Sequence, residues 1–449
     1  MERTRNPITE GIIWKELLTF FFPIVIGTLF QQLYNTIDAI IVGRFVGKVA
    51  LAAAGGSAAI ITTEVIMLFT SLTTGAGVII SQYYGANKKV QVSQSLHTAF
   101  LFSIILSIAL SIAGVLFSPA ILRMMNTTKD VLPSAIIYMR IYFLGITATF
   151  LYNISSAIMR SIGDSKRPLY YLIICTIINI ILDILFVIVF HMGIAGAAIA
   201  TVIAQSVSAI LAIRALMTSY ETLKLDLHLL GIDRAILLSE LKIGVPGAIQ
   251  TLMYGLTNFF IQISVNNLGT DVTAAWAATG KVDQIYWAIS TAFGATLATF
   301  VGQNYGAGKM KRVWKSVRTA LCMDLILGGS ILAGLLIFSK YAFGLFSSDA
   351  NVVKLGIYIL QIIVPYYIVY IFIEVTSSAL RGLGDVQIPT LIIMFGVLLR
   401  LPWLFFYVAK HNTLHALLLS YPVSWIPTMT MLVIYYFYRK YTFQKNILS

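Results

Sequence analysis

Apolar runs of twenty or more residues recur along this chain, separated by short polar stretches. About 20 helical residues rise far enough to cross a hydrocarbon layer roughly 30 Å thick. The pattern predicts twelve membrane spans, at about 17–41, 52–80, 93–118, 134–158, 168–190, 194–218, 240–266, 275–302, 317–339, 353–379, 389–408 and 414–438. The expected fold class is therefore an all-α integral membrane protein. The run beginning at Leu17 is too long for a signal-peptide core and has no small-residue cleavage site after it, so it reads as a retained span.

Short motifs recur at a nearly constant offset. Gln82-Tyr83-Tyr84-Gly85-Ala86-Asn87-Lys88 pairs with Gln303-Asn304-Tyr305-Gly306-Ala307-Gly308-Lys309 at an offset of 221. Arg160, Gly163, Asp164 and Pro168 pair with Arg381, Gly384, Asp385 and Pro389 at the same offset, and Pro23 and Asn35 pair with Pro246 and Asn258 at 223. Three matches in order point to an internal duplication. Each copy holds six spans, an even number, so both enter the membrane from the same side. This predicts two parallel six-helix lobes related by a pseudo-twofold axis along the membrane normal, a plan found in transporters. The expected lobes are residues 1–219 and 240–449, joined by a cytoplasmic linker at 220–239. In the repeated loops, Gly and Asp close one helix and Pro opens the next, which gives Asp164 and Asp385 a turn-forming role.

Composition supports the membrane reading: 58% of the 449 residues are hydrophobic and 11% charged. The net charge of +13 is spread over the loops rather than gathered in a domain, so no nucleic-acid partner is expected. With the amino terminus inside, 21 of the 31 Lys and Arg residues, Arg3 and Arg5 among them, fall on cytoplasmic segments and seven on outer ones. That bias predicts cytoplasmic amino and carboxyl termini. Cys175 and Cys322 both lie in spans and read as packing residues.

Soluble-type motifs fail. Gly302–Met310, GQNYGAGKM, resembles a phosphate-binding loop, but the glycine spacing is wrong and Met310 stands where Ser or Thr would meet magnesium. No zinc-protease motif, Cys/His cluster or nucleophile elbow is present, so no enzyme, cofactor or resident metal is expected. The five histidines fall near span ends and loops, where wetted side chains are the expectation.

The chemistry lies in six carboxylates within predicted spans: Asp38, Glu64, Asp183, Asp283, Asp324 and Glu374. An ionised acid at the bilayer centre costs roughly 2.5 to 3.5 kcal/mol on insertion scales, so such groups face the protein interior or a watery cavity. Asp38 shares one helix face with Gln31 and Asn35, and Asp183 shares one with Asn179. Asn153 and Thr201 on neighbouring spans complete a small polar chamber, the candidate site for an exchangeable proton. The repeat sharpens this reading, because Asp38 maps to Ile261 and Asp183 to Leu404, so neither acid is required by the shared fold. Asn153 and Asn179 map to Glu374 and Arg400, which predicts a buried polar pair in the second lobe. Asp283 and Asp324 read as paired or hydrated groups. Candidate substrate-cavity residues are Gln31, Tyr34, Asn35 and Glu64, with the i+4 stripe Gln250, Tyr254, Asn258 and Gln262, a stripe that joining of helices would equally explain. Met67, Trp276, Tyr286 and Trp287 offer further surface to a cation, although aromatics at span ends also serve as interfacial anchors.

Twelve spans in two halves, a first span reading PIVIGTLFQQLYNTIDAIIVGR, the paired Q-x-Y-G-A and R-x-x-G-D-x-x-x-P loops and the N-x-x-x-D of the fifth span together resemble the MATE (multidrug and toxic compound extrusion) family, in its DinF-like prokaryotic branch. The resemblance covers essentially the whole chain. It implies a multi-pass antiporter of the prokaryotic plasma membrane that exports small organic, mostly cationic compounds against a proton or sodium gradient by alternating access, as a monomer in the lipid bilayer. It also implies that Asp38, Asn153, Asn179, Asp183 and Thr201 form the ion site. Asn258 stands where some members carry an acid on the seventh span, which argues against a sodium site in the second lobe.

A flippase for lipid-linked or amphipathic substrates shares this architecture and is the alternative reading; it predicts a strongly cationic cavity. A major facilitator transporter is disfavoured by the lack of its basic motif after the second span, and a receptor or channel does not explain two duplicated lobes.

Overall fold

A computed structural model describes residues 6–220, 223–346 and 349–448, the side chains of the last three excepted. Arg3 and Arg5, counted above on the cytoplasmic side, lie outside the described residues. The described chain is all-helical, without a strand, and holds twelve helices long and apolar enough to cross a membrane: Ile13–Val46, Lys48–Gly85, Lys89–Met124, Leu132–Ser161, Lys166–Val189, Gly193–Thr218, Arg234–Asn267, Gln284–Gly306, Met310–Ile337, Ala350–Gly382, Gln387–His411 and Leu414–Lys445. We number them as spans one to twelve.

Most of the helices run past the apolar stretches at one end or both. The seventh begins at Arg234, inside the stretch expected as linker. Two spans are built in pieces. The second joins Lys48–Gly55 to Ser57–Gly85 at Gly56, and the eighth is preceded by Thr270–Val282, which meets Gln284–Gly306 at Asp283.

The duplication is written in the backbone as well as in the motifs. Left-handed residues recur in register: Asn87 (φ 56°) with Gly308 (φ 70°), Gly163 (φ 98°) with Gly384 (φ 81°), and His191 (φ 52°) with Asn412 (φ 43°), each pair 221 positions apart. Such angles recur only where a tight turn demands them, since a Cβ is strained there. π-helical stretches recur too, Ile184–Val189 in the fifth span and Trp403–Val408 in the eleventh, with a further one, Val42–Val46, closing the first.

Two compact units divide the chain, Thr19–Ala248 and, together, Met1–Leu18 with Ile249–Ser449. The division falls inside two helices, the first span and the seventh. The first unit is packed around a continuous apolar core that includes Phe69, Leu96, Met139, Phe150 and Ile158. Phe69 stacks on Phe150 with ring centroids 3.6 Å apart. A smaller cluster in the second unit gathers Ile261, Val265, Leu404, Val408 and Leu417.

Each repeated R-x-x-G-D-x-x-x-P loop has a local structural task. Asp164 accepts from the backbone N–H of Lys166 and Arg167 and from Tyr220 Oη at 2.6 Å, and it pairs with Arg167 at 3.2 Å. Asp385 likewise accepts from Tyr435 Oη at 2.8 Å and pairs with Arg439. The phosphate-loop look-alike holds polypeptide. Asn6 Nδ2 donates to Gln303, Asn304 Nδ2 and Arg312 donate to the carbonyl of Ile8, Arg312 reaches Gly11, and Lys309 Nζ donates to the carbonyl of Thr9. In the first unit the segment after Leu223 is held comparably, with Thr98 bonded to Gly231 and Asp233 and with His97 Nε2 accepting from the N–H of Asp226 at 3.0 Å. His97 is therefore a buried structural residue and not the wetted side chain that its position near a span end suggested.

Candidate functional site

The chamber in the first unit is built where two spans leave α-helical geometry. Asp38 lies one turn before the π-stretch Val42–Val46, and Asp183 ends the α-helix Lys166–Asp183 where the π-stretch Ile184–Val189 begins. The wide turns are closed by i to i+5 bonds, Gly47 N–H to Val42 at 3.1 Å and Phe190 N–H to Leu185 at 2.9 Å. π-turns of this kind concentrate at functional positions, where they change the direction of the chain after a key side chain.

Asp38 and Asp183 lie side by side, near enough for each to act on the other's charge and hydrogen bonding. Neither has a well-formed protein donor. Oδ1 and Oδ2 of Asp183, Oδ1 of Asp38 and both side-chain heteroatoms of Asn179 are buried without a hydrogen-bond partner. Asn179 and Asp183 are both fully buried. Each such atom costs about 1 to 3 kcal/mol if left unmet, which sets this cluster apart from the apolar packing around it. Two adjacent buried carboxyls cannot both ionise cheaply.

Thr201 is buried and accepts from Tyr34 Oη at 3.4 Å, while its own hydroxyl donates to the carbonyl of Ala197 at 3.0 Å. Tyr138 and Tyr142 of the fourth span stack with centroids 6.2 Å apart, and Tyr138 lies within electrostatic range of both acids. These tyrosines escaped the sequence reading, although their i+4 spacing on a span adjacent to the acids was the available signal. Asn153 is half-buried on the same helix, eleven residues beyond Tyr142, which is close to three full turns and so on the same face. Gln31 and Asn35 are exposed on the first span, and Glu64 on the second has its Oε2 buried without a partner.

The second unit is different. Glu374 and Arg400 do not form the polar pair expected from the repeat. Ser378 Oγ, one turn on, donates to Glu374 Oε1 at 3.0 Å, and the guanidinium of Arg400 lies 4.5 Å over the ring of Tyr421. Each side chain has a partner closer along its own packing interface, so they share an environment through Tyr254, which lies beside Gln250, Tyr370, Glu374 and Arg400, without meeting. Farther along the stripe, Asn258 is exposed and Gln262 donates to Asn266 at 2.8 Å.

Aromatic rings line this region. Trp287 meets Tyr370 at 4.8 Å, Tyr370 meets Trp425 at 5.5 Å, and Trp425 meets Tyr421 at 4.9 Å, measured between centroids. Asp283 is paired as expected, accepting from Tyr367 Oη at 2.5 Å and Trp287 Nε1 at 3.3 Å. Asp324 departs from expectation: it is fully buried, and both oxygens lack a donor. No group of three or more His, Cys, Asp or Glu positioned to hold a metal ion occurs among the described residues.

Known proteins agree with this architecture. The chain is 26% identical to the probable multidrug resistance protein YoeA of Bacillus subtilis, over 98% of this chain and 97% of that one. It is also 26% identical to an FAD transporter of Shewanella oneidensis, over 86% and 87% of the two chains. Its backbone superposes on a MOP superfamily transporter from Pyrococcus furiosus with a TM-score of 0.90 at 20% identity, covering 99% of this chain and all of that one. The MatE family model matches residues 23–185 and again 246–406, so the two halves read as copies of one plan. Since those two matches take in well over half of the sequence, the protein belongs to the MatE family of membrane transporters.

Proposed function

We propose that this protein exports small organic cations in exchange for protons or sodium ions, with Asp38 and Asp183 as the pair that reads the gradient. The observation that carries the proposal is the cluster of buried, unpartnered oxygens and amide atoms at Asp38, Asn179 and Asp183. An occupant of that cluster must arrive and leave, and a proton or sodium ion meets its chemistry. The cycle follows from alternating access. From outside, the ion neutralises the acid pair; the first span, which carries Asp38 directly before its π-turn, then repacks; the exported cation is released; and inward opening returns the ion. Relatives named as multidrug resistance proteins support an organic cargo. The aromatic wall of Trp287, Tyr370, Trp425 and Tyr421 suits flat, cationic rings.

A lipid-linked anionic cargo would call for several free cations. Arg400 is already engaged over Tyr421. Ethidium efflux from everted vesicles, with proton and sodium gradients imposed separately, tests the reading. Movement driven by one gradient and lost in Asp183→Asn supports it. Movement indifferent to both gradients, or unchanged in that variant, overturns it.

A further inference from the structure

A second buried acid stands in the first unit, away from the Asp38 and Asp183 chamber. Glu240, on the first part of the seventh span, is 4% exposed, and its Oε1 has no partner. It lines a partly open cavity of about 20 Å³ together with Thr73 of the second span and Ser103 of the third; the remaining lining is apolar or Ala. A space of that size holds one water molecule, and Glu240 with two hydroxyls gives it enough polar partners.

The hydrogen-bond chemistry of this cavity is one-sided. Thr73 Oγ1 already donates to the carbonyl of Thr70 at 2.8 Å, and Ser103 Oγ donates to Ala99 at 2.7 Å. Both hydroxyls thus have only acceptor capacity left to offer. An ionised carboxylate also offers only acceptors, whereas a protonated one has an O–H to give. No charged side chain lines the cavity from any of the elements around it. The nearest titratable groups along them are Glu64 on the second span, His97 on the third, Tyr152 and Arg160 on the fourth and Arg234 and Lys242 on the seventh itself, and Tyr152 Oη donates to the carbonyl of Pro168. His97 is occupied by Ser93 and the N–H of Asp226. Glu64 stands about 7.5 Å along its helix from Phe69 and Arg160 about 9 Å from Ile154, and Lys242 lies about 200° around the helix from Glu240.

The surrounding contact is tight. A Cβ on Gly75 would lie 2.2 Å from the carbonyl oxygen of Glu240, and one on Gly244 would lie 2.8 Å from the backbone of Leu72, so the second and seventh spans cross glycine against glycine. Hydrating a charged group there means parting the two helices.

We propose that Glu240 is a proton-binding site distinct from the acid pair, and that its protonated carboxyl, through one water to Thr73 and Ser103, seats the first part of the seventh span on the second and third spans. Loss of the proton unseats residues 234–248.

Hydrogen-exchange mass spectrometry of the full chain in nanodiscs, from about pH 6 to 9.5 and corrected for intrinsic exchange, tests this without any transport readout. In the wild type the opening of 234–248 should grow by about tenfold per pH unit once the proton is lost, the slope for one linked proton. Glu240→Gln keeps the shape and a donor without titrating, and should hold the segment closed throughout. Asp183→Asn should leave the wild-type response in place. A flat wild-type profile overturns the proposal, as does a response that survives Glu240→Gln or disappears in Asp183→Asn.

Discussion

Asp38 and Asp183 lie side by side in the first unit, and their repeat equivalents, Ile261 and Leu404, are buried in one apolar cluster of the second. The same pair of helix positions thus holds two acids in one unit and two apolar packing residues in the other. The fold tolerates either, so the acids of the first unit answer to something other than assembly.

Replacing Asp183 by Asn keeps the volume and removes the exchangeable charge. Gradient-driven efflux should fall by at least about tenfold, a barrier or coupling change of about 1.4 kcal/mol, with unaltered membrane yield and melting temperature. Parallel efflux and thermal-shift measurements check both halves of that statement.

The converse substitution, Ile261→Asp, places a carboxyl without partner against Val265 and Leu404. Its cost should be about 2.5 to 3.5 kcal/mol, the insertion penalty of an acid at mid-membrane depth. A matching loss of thermal stability in detergent, without a gain of ion dependence, is the expected result.

A Cβ at Gly294 would stand 2.0 Å from Glu374 Oε1 and 2.8 Å from Ser378 Oγ. Gly294→Ala should therefore break the Ser378 to Glu374 hydrogen bond and strain the eighth and tenth spans, at about 1 to 3 kcal/mol. Removing the hydroxyl as well, in Gly294→Ala with Ser378→Ala, should cost less than the sum of the two single changes, because both act on one contact.

Arg312 anchors the amino-terminal segment through the carbonyls of Ile8 and Gly11. Arg312→Ala should free residues 6–11 to exchange their amide hydrogens faster by about ten- to a hundredfold, on the scale of about 1.5 to 3 kcal/mol for hydrogen bonds to a charged group. Spans distant from the segment should exchange as before.

Tyr220 lies outside the spans, where burial first, and then its hydrogen bond to Asp164, pushes the phenol well above its ordinary range. The unfolded phenol titrates near 10. The stabilisation is therefore complete below about pH 10 and declines as pH rises beyond that, because the unfolded chain then releases a proton that the folded one retains. Tyr220→Phe should cost about 0.5 to 1.5 kcal/mol at neutral pH and progressively less in alkaline solution, as followed by denaturant titration.

The site was legible in part. Asp38, Asn179, Asp183 and Thr201 could be picked out because ionisable and amide groups inside apolar runs are costly and few, and because the second copy lacks the acids. The π-turns that follow both acids left no trace in the hydrophobic pattern, since a single wide turn shifts the register too little to disturb it. Glu374 and Arg400 looked like partners by alignment. Helix rotation and side-chain direction then gave each a different neighbour, Ser378 and Tyr421.

By itself, the sequence determined the number of spans, the duplication and the places where polar groups enter the membrane, because length, hydropathy and recurrence are properties of a linear chain. Only the tertiary structure decided which of those groups meet. It set Asp38 beside Asp183, put Tyr138 near both, grouped Glu240 with Thr73 and Ser103, and turned GQNYGAGKM into a clamp for residues 6–9. The reason is geometric: helical periodicity fixes the face on which a residue lies, whereas the partner across that face depends on the rotation, crossing and local winding of another helix.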